Sequence, residues 1–103
     1  MDAVFHSLIK KDLRAALAYY DTEGGPKLGD RFFREVGMVT VKVIANPRAF
    51  HFAAEGLRRA ALDSFPYHFL YEESRDFVRF LVLRHDRRHP SYGVKRRRPQ
   101  PPL

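Results

Sequence analysis

Apolar residues recur at helical spacing near the start of the chain. The stripe consists of Ile9, Leu13, Ala16, Leu17 and Tyr20. Intervals of three and four residues predict an amphipathic helix with one buried face, and Lys10 and Lys11 lie off that face. Ser7 is placed to cap the helix start, because its hydroxyl can accept from the free amides of the first turn. Gly24-Gly25-Pro26 predicts the end of the helix.

A second apolar stripe follows Pro26, at Leu28, Phe32, Val36, Val39 and Val43. This spacing again indicates a helix. The segment Val36–Ile44 is also rich in β-branched residues that alternate with other side chains, which is typical of a strand. We favour one long helix ending near Ala45, because the stripe continues without a phase break until Asn46-Pro47.

The second half of the chain has the alternating pattern of strands. Tyr67, Phe69 and Tyr71 lie on one face of such a run, with His68 and Leu70 on the other. Three runs are predicted to be strands, at 57–64, 67–71 and 76–83, and 2–6 is a possible first strand. The run 76–83 is apolar on nearly both faces, so we expect it to be a central strand covered on one side by the helices.

Length and composition indicate one soluble domain. The chain has 103 residues, and 45% of them are hydrophobic, which suits a single packed core. It has no cysteine and no apolar run of membrane-spanning length, so we expect a cytoplasmic protein that does not act at a membrane. Its five histidines lack the spacing of a zinc site, and we expect neither a metal nor a cofactor.

Positive charge is concentrated in the C-terminal fifth of the chain. The net charge is +7, and residues 84–103 contribute seven Lys or Arg against the single acid Asp86. Such a localised field predicts an anionic partner, either a nucleic acid or an acidic protein. Residues 94–103 are basic and proline-rich, so we assign the folded domain to 1–93 and expect a mobile tail after it.

Four segments carry a family resemblance. They are KKDLRAALAYYD (10–21), LGDRFFREV (28–36), LRRAALDSFPYHFLYEE (57–73) and VLRHDRRHPSYG (82–93). Together they resemble the RelE/ParE superfamily of toxins from type II, plasmid-stabilisation-type toxin-antitoxin modules, over residues 4–93. The resemblance implies an α+β fold of order β-α-α-β-β-β, with an N-terminal helical hairpin packed on a small twisted antiparallel sheet. It also implies a cognate acidic antitoxin as partner, with which the chain would form a hetero-oligomer.

The superfamily contains two activities, and the resemblance alone implies either. RelE-like members cut mRNA on the ribosome without a metal, whereas ParE-like members inhibit DNA gyrase. Two basic positions of the RelE-like pattern fall here on His68 and Asp86, and its tyrosine falls on Tyr92. Phe65-Pro66-Tyr67 and His85-x-x-Arg88-x-Pro90 look more like the ParE-like branch. We therefore favour a growth-inhibiting toxin that is not a nuclease.

The candidate site residues lie mainly at the end of the last strand. An RNase would use His68, Arg84, His85, Arg88 and Tyr92, since phosphate cleavage needs several basic groups and a proton donor at one phosphate. A surface that binds the target or the antitoxin would use Arg58, Arg59, Arg84, His85, Arg87, Arg88 and Tyr92. Arg58 and Arg59 face opposite ways on an extended strand, so only one of them can join this edge.

Two alternatives stay open from the sequence. Arg88 is more often a structural residue in such a position, bonded to carbonyls at the strand end or to a helix carboxylate such as Asp12. The chain as a whole could instead be a nucleic-acid-binding domain without toxicity, since basic patches bind phosphates regardless of sequence.

Overall fold

Two helices pack on one face of a four-stranded sheet in the computed structural model, which describes residues 2–53 and 56–97. The elements are β1 (Asp2–Phe5), α1 (Ile9–Gly24), α2 (Pro26–Ala45), β2 (Arg58–Ala61), β3 (Tyr67–Glu73) and β4 (Phe77–His85), with 3₁₀ helices at Pro47–Ala49 and Val94–Arg97. This order is the predicted β-α-α-β-β-β, so the α+β class is confirmed.

The sheet has the order β1-β4-β3-β2, which makes β4 a central strand as predicted. The strands β2, β3 and β4 are antiparallel neighbours. β1 runs parallel to β4, with Asp2 opposite Phe77 and Phe5 opposite Phe80, so the sheet is mixed and not antiparallel throughout as we expected. Parallel pairing needs a long crossover between the two strands, and the helical hairpin is part of that crossover.

The helical hairpin turns at a glycine with positive φ. Gly25 has φ of 79°, its N–H donates to Asp21 O, and Pro26 opens α2. This confirms the predicted break. The N-terminal cap differs from the prediction, because Leu8 occupies the cap position and Ser7 lies one residue before it. The Leu8 N–H instead donates to His6 Nδ1 at 3.1 Å.

Residues Val36–Ile44 are helical, as favoured over the strand alternative. Val36, Val39 and Val43 are buried against the sheet, where the helical period places them on one face. The free energy gained by removing these apolar side chains from water outweighs the small free-energy cost of placing β-branched residues in a helix. Thr40 donates its hydroxyl to the Val36 carbonyl, which keeps this polar group bonded within the helix.

The sheet is buried on both faces, in two separate apolar clusters. The larger one lies between the sheet and the helices and includes Phe32, Phe69 and Phe80. The smaller one lies on the opposite face and contains Leu57, Leu70, Leu81 and Val82, partly covered by Tyr92 and Val94. The β3–β4 register shifts beside Leu70, which leaves Leu81 without a partner on β3 and places Leu81 and Val82 in the same cluster.

The ordered part of the domain continues past the predicted boundary at residue 93. Val94–Arg97 form a 3₁₀ helix, and Arg96 Nη1 donates to Asp12 Oδ2 at 2.7 Å and to Leu81 O at 3.1 Å. Asp12 Oδ2 also accepts from the Leu83 N–H at 3.1 Å, so this buried carboxylate ties α1 to β4 and to the C-terminal segment. Residues 98–103 lie outside the described part of the chain, and a mobile tail there stays a prediction.

Candidate functional site

A cleft of about 380 Å³ opens between α1 and the end of β4. Its lining comprises Lys11, Asp12, Ala15, Ala16, Tyr19, Tyr67, Leu83, Arg84, His85, Arg88 and Tyr92, and we call it the basic cleft. Four residues singled out from the sequence, Arg84, His85, Arg88 and Tyr92, meet in this cleft. They come together because β4 ends at His85 and Arg84 then holds the following segment through the carbonyls of Pro90 and Tyr92.

Arg88 is exposed and stacks on an aromatic ring. Its guanidinium carbon lies 4.1 Å from the centroid of the Tyr92 ring, a cation-π arrangement. Among the described residues its side chain has no hydrogen bond or ion pair. The structural role expected for Arg88 is therefore wrong. Arg84 bonds the carbonyls and Arg96 bonds Asp12, which leaves the Arg88 guanidinium available to a ligand.

Arg84 is a positioning residue for the segment that carries Tyr92. Its Nη1 donates to Pro90 O at 2.8 Å and to Tyr92 O at 2.9 Å, while its Nε donates to His68 Nε2 at 2.9 Å. One guanidinium thus joins β3, β4 and the segment after β4, using the fixed fork of donors that lysine lacks. Arg84 contributes to the basic cleft by fixing its wall.

His68 is almost fully buried, at 3% exposure, and both of its ring nitrogens are bonded. Because Arg84 can only donate, Nε2 must accept, and the proton therefore lies on Nδ1 and is donated to Asp86 Oδ1 at 2.8 Å. Burial lowers the pKa of His68, against the opposing effect of the Asp86 hydrogen bond. The ring is neutral near pH 7, and it lies outside the residues that line the basic cleft.

Asp86 is the centre of a second group of contacts beside the cleft. It binds His68 and also Arg59, whose Nη2 lies 3.1 Å from Asp86 Oδ1. Burial acts to raise the pKa of Asp86, but the hydrogen bonds from His68 and Arg59 outweigh it and the pKa is lowered. Asp86 is thus an ionised carboxylate that offsets charge at this end of the sheet.

Of the two adjacent arginines on β2, only Arg59 reaches this end of the sheet, as the alternation predicted. Arg58 points the other way and binds Glu73 at 2.9 Å and Phe50 O at 2.6 Å. Its guanidinium carbon also lies 4.0 Å from the centroid of the Phe52 ring. Arg58 is therefore remote from the other predicted site residues, and its bonds hold the connector before β2 against the sheet.

His85 presents one ring nitrogen to its own backbone and one away from it. Its Nδ1 accepts from the Arg87 N–H at 3.0 Å, so a neutral ring carries its proton on Nε2. The ring packs edge-on against Tyr67, with 5.2 Å between centroids. His85 can therefore donate from Nε2 to a ligand acceptor. The Arg87 side chain is exposed and is not among the cleft-lining residues.

Three cleft residues were missed by the sequence reasoning. Lys11 was assigned only to the polar face of the first helix, Tyr67 only to one face of a strand, and Tyr19 was not named as a candidate. Tyr19 is 56% exposed, and positions 11, 15 and 19 follow one another at four-residue intervals on the same helix face. This stripe of a polar, a small and an aromatic residue on one helix face is a signal in the sequence that could have predicted Lys11 and Tyr19 as cleft residues. Burial, and secondarily Tyr19, raises the pKa of Tyr67, which keeps its hydroxyl a hydrogen-bond donor.

The charge of the basic cleft is positive. Its one acid, Asp12, is already paired with Arg96, so Lys11, Arg84 and Arg88 are not offset from within the lining. Aromatic rings line the cleft together with these cations, which suits a phosphate group or an acidic side chain packed beside an apolar one. Within residues 2–53 and 56–97, no three His, Asp or Glu side chains are grouped to hold a metal, and no helix is long and apolar enough to cross a membrane.

Fold and cleft together define a small α+β protein with two helices packed on a mixed sheet and a basic cleft at the end of β4. Among solved structures, a chain from the chromosomal ParDE TA system of P. aeruginosa has the same fold, with a TM-score of 0.71. The two sequences are 19% identical, and the match covers 82% of this chain and 95% of that one. No protein-family model and no curated protein matches the sequence. The predicted resemblance is thus confirmed for the fold.

Proposed function

We propose that the protein is the toxin of a type II, plasmid-stabilisation-type toxin-antitoxin module. In this proposal it acts in the cytoplasm and arrests growth by binding an essential macromolecule such as DNA gyrase. A cognate acidic antitoxin neutralises it by covering the basic cleft in a hetero-oligomer. The fold shared with a chain of a ParDE TA system supports this assignment.

The observation that carries the choice of a binding mechanism is the state of His68. Of the positions that a RelE-like nuclease fills with basic residues, one is His68 and another is Asp86, and here the two bond to each other. A neutral imidazole with both nitrogens occupied cannot take or give a proton at a bound ribose. Asp86 repels a phosphate instead of stabilising it.

The contacts of Arg88 favour recognition of a protein surface. An arginine stacked on a tyrosine at an exposed position is the kind of residue that dominates binding energy in protein interfaces. Positive potential around it steers an acidic partner toward the cleft and raises the rate of association. The target and the antitoxin would then compete for the same surface.

The first experiment is induction of the gene with and without the neighbouring gene product. Growth arrest relieved by co-expression is expected. Purified protein is then added to a supercoiling assay with DNA gyrase, where loss of supercoiling is expected and is reversed by the antitoxin. Full gyrase activity at micromolar protein would contradict the gyrase assignment, and harmless induction would contradict the toxin assignment as a whole.

A ribosome-dependent endoribonuclease is the second candidate, and one feature of the cleft geometry favours it. His85 offers an Nε2 proton, Arg88 a guanidinium with no ion pair to the residues that the structure describes, and Tyr92 a ring beside it. These groups could act on one phosphate while Arg84 holds the cleft wall. Primer extension on mRNA after induction distinguishes the two candidates. Intact message in arrested cells excludes the nuclease.

A nucleic-acid-binding domain without toxicity is the remaining alternative. It predicts affinity for duplex DNA that falls steeply with salt, because phosphate contacts release counterions. It also predicts normal growth on induction. The induction experiment therefore separates it from both toxin candidates before any target is tested.

A further inference from the structure

His68 is connected to the wall of the basic cleft through a single arginine. Its Nε2 accepts from Arg84 Nε at 2.9 Å, and Arg84 Nη1 donates to Pro90 O at 2.8 Å and to Tyr92 O at 2.9 Å. The centroid of the Tyr92 ring in turn lies 4.1 Å from the guanidinium carbon of Arg88. The position of Arg88 therefore depends on a series of contacts that begins at a buried imidazole.

The hydrogen bond between Arg84 and His68 exists only while the imidazole is neutral. A guanidinium can only donate, so it needs the lone pair of Nε2. Protonation of Nε2 turns this acceptor into a donor and leaves two positively charged groups in contact. His68 is 3% exposed, so water screens little of the repulsion between them. Arg84 is only half-buried, at the end of its strand, so it is the partner that can move toward solvent.

The charged groups that face His68 come from β2, from β4 and from the residue after β4. Burial lowers the pKa of His68, and the cations Arg59 and Arg84 lower it further, against the raising effect of the Asp86 carboxylate. Asp86 itself stays ionised at pH 5, because its pKa lies below its ordinary value of 3.8. Within this group of contacts, His68 is therefore the side chain that changes its charge in mild acid.

We propose that His68 makes the basic cleft sensitive to pH. At neutral pH the ring keeps Arg84 bonded to the carbonyls of Pro90 and Tyr92. In acid the protonated ring repels Arg84, those carbonyls lose their donor, and the cleft wall that carries Tyr92 opens. An acidic partner then binds the cleft more weakly in acid than at neutral pH. The weaker binding rests on the proposed function, whereas the opening of the wall is a property of this chain alone.

Amide hydrogen exchange of the full chain at pH 7 and pH 5 tests the opening. The Tyr92 N–H donates to His89 O at 2.9 Å and the Val94 N–H donates to Ser91 O at 3.2 Å, so both amides report on the cleft wall. After correction for the intrinsic effect of pH on exchange, their protection should be about tenfold lower, or less still, at pH 5. Amides in the middle of α1 should lose less protection, because the opening is local.

Two substitutions at His68 separate its protonation from its packing. His68→Gln keeps an uncharged acceptor for Arg84, so the Tyr92 and Val94 amides should have similar protection at pH 7 and pH 5. His68→Leu occupies the buried site without any acceptor, so the same amides should have low protection at both pH values. A role of His68 in packing alone would not give these two opposite results.

His85 and His89 provide the controls, because protonation of either ring would also add charge beside the same segment. Their Nδ1 atoms accept from the backbone N–H groups of Arg87 and Ser91, at 3.0 and 3.1 Å. Asparagine at either position offers an acceptor that takes no charge. His85→Asn and His89→Asn should therefore respond to pH as the wild type does, and a response lost in either variant would overturn the assignment to His68.

Equal protection of the Tyr92 and Val94 amides at the two pH values would also overturn the proposal. So would a His68→Gln chain that responds like the wild type, or a loss shared equally by α1, since that loss would reflect unfolding of the whole domain. Calorimetry with the neighbouring gene product then tests the consequence for binding. Its affinity should fall more between pH 7 and pH 5 for the wild type than for His68→Gln. An equal fall beside a confirmed opening would overturn the basic cleft as the binding surface, and not the opening itself.

Discussion

The state of single residues decides what chemistry is open to this protein, and His68 is the clearest case. Its ring is held between a donor, Arg84, and an acceptor, Asp86, at 2.9 and 2.8 Å. Arg84 requires Nε2 to accept a hydrogen bond, and Asp86 requires Nδ1 to donate one. Together they permit only the neutral Nδ1–H form. His68 therefore acts in the structure as a bridge between strand ends.

We predict that His68 titrates below its ordinary pKa of 6.5, because burial opposes its charged form. NMR of the imidazole nitrogens as a function of pH measures this directly, and it should show the Nδ1–H tautomer near neutral pH. As the pH falls below 6.5, the unfolded chain takes up this proton before the folded chain does. The stability contributed by the neutral ring is therefore present above pH 6.5 and is lost as the pH falls toward the lowered folded pKa.

The lowered pKa of Asp86 acts in the same direction at lower pH, since its stabilising bonds are lost only as the pH falls through its folded pKa. The free energy of unfolding should thus decrease between about pH 7 and pH 5, and decrease less in a His68→Gln variant. A His68 that titrates at or above 6.5 would contradict the assigned tautomer and the argument against a role in RNA cleavage.

At the scale of elements, one buried carboxylate joins three segments that are far apart in sequence. Asp12 on α1 accepts from Leu83 N of β4 and from Arg96 of the last 3₁₀ helix. The two charged side chains are 4% and 11% exposed, so neither retains much contact with water. The Arg96 guanidinium also lies 5.4 Å from the Tyr92 ring centroid, which links the carboxylate to the cleft wall.

We predict that Asp12→Ala lowers the free energy of unfolding by about 3 to 5 kcal/mol, because it leaves a buried guanidinium without its partner. Arg96→Ala should cost a comparable amount, and the double variant less than the sum, as measured by urea denaturation. Arg48→Ala is the matched control, since Arg48 is 83% exposed in its pair with Glu73 and should cost less than about 1 kcal/mol. Strictly additive losses at Asp12 and Arg96 would show that the two do not act together.

Gly93 fixes the turn between Tyr92 and the last 3₁₀ helix. Its φ is 82°, and an added Cβ would lie 2.6 Å from Val82 Cβ in the smaller core cluster. We predict that Gly93→Ala costs about 2 to 4 kcal/mol, the sum of an unfavourable backbone and a core clash. Gly56→Ala shares the positive φ of 76° but meets only Arg97 at 3.7 Å, so it should cost about 1 to 2 kcal/mol. Equal losses in the two variants would contradict the clash.

For the molecule as a whole, the C-terminal charge run does not form one basic edge. Arg84 and Arg96 turn inward and hold the structure, whereas Arg88 faces the cleft with Lys11 of α1. Arg59 is occupied by Asp86. The basic side chains behind the net charge of +7 thus have two roles. Some of them stabilise the fold, and a smaller set is available to a partner.

We predict that Arg88→Ala abolishes or strongly reduces growth arrest while leaving the thermal midpoint nearly unchanged. Its contact with Tyr92 contributes only about 0.5 to 1 kcal/mol at an exposed site, whereas arginines at the centre of an interface can contribute 2 kcal/mol or more to binding. Arg87→Ala is the control, because Arg87 is exposed and lies outside the cleft lining. Full toxicity of the Arg88→Ala protein would remove the basic cleft from the mechanism.

Much of this architecture was predictable from local patterns. One buried face imposes the periods seen in the two helical stripes and in the alternation of β3. The break between the helices follows from the turn residues Gly25 and Pro26. The placement of His85, Arg88 and Tyr92 near one another also followed from the strand end. Lys11, Tyr19 and Tyr67 were missed because they join the cleft through packing of α1 on the sheet, which no local period encodes.

The sequence by itself determined the α+β class, the element order and the concentration of positive charge, because these depend on spacing, turn residues and composition along the chain. Tertiary structure alone decided the parallel pairing of β1, the division of the arginines between fold and cleft, and the neutral bridging role of His68. Those features depend on which distant groups meet in a low-dielectric interior, where one hydrogen-bond partner changes what a side chain can do.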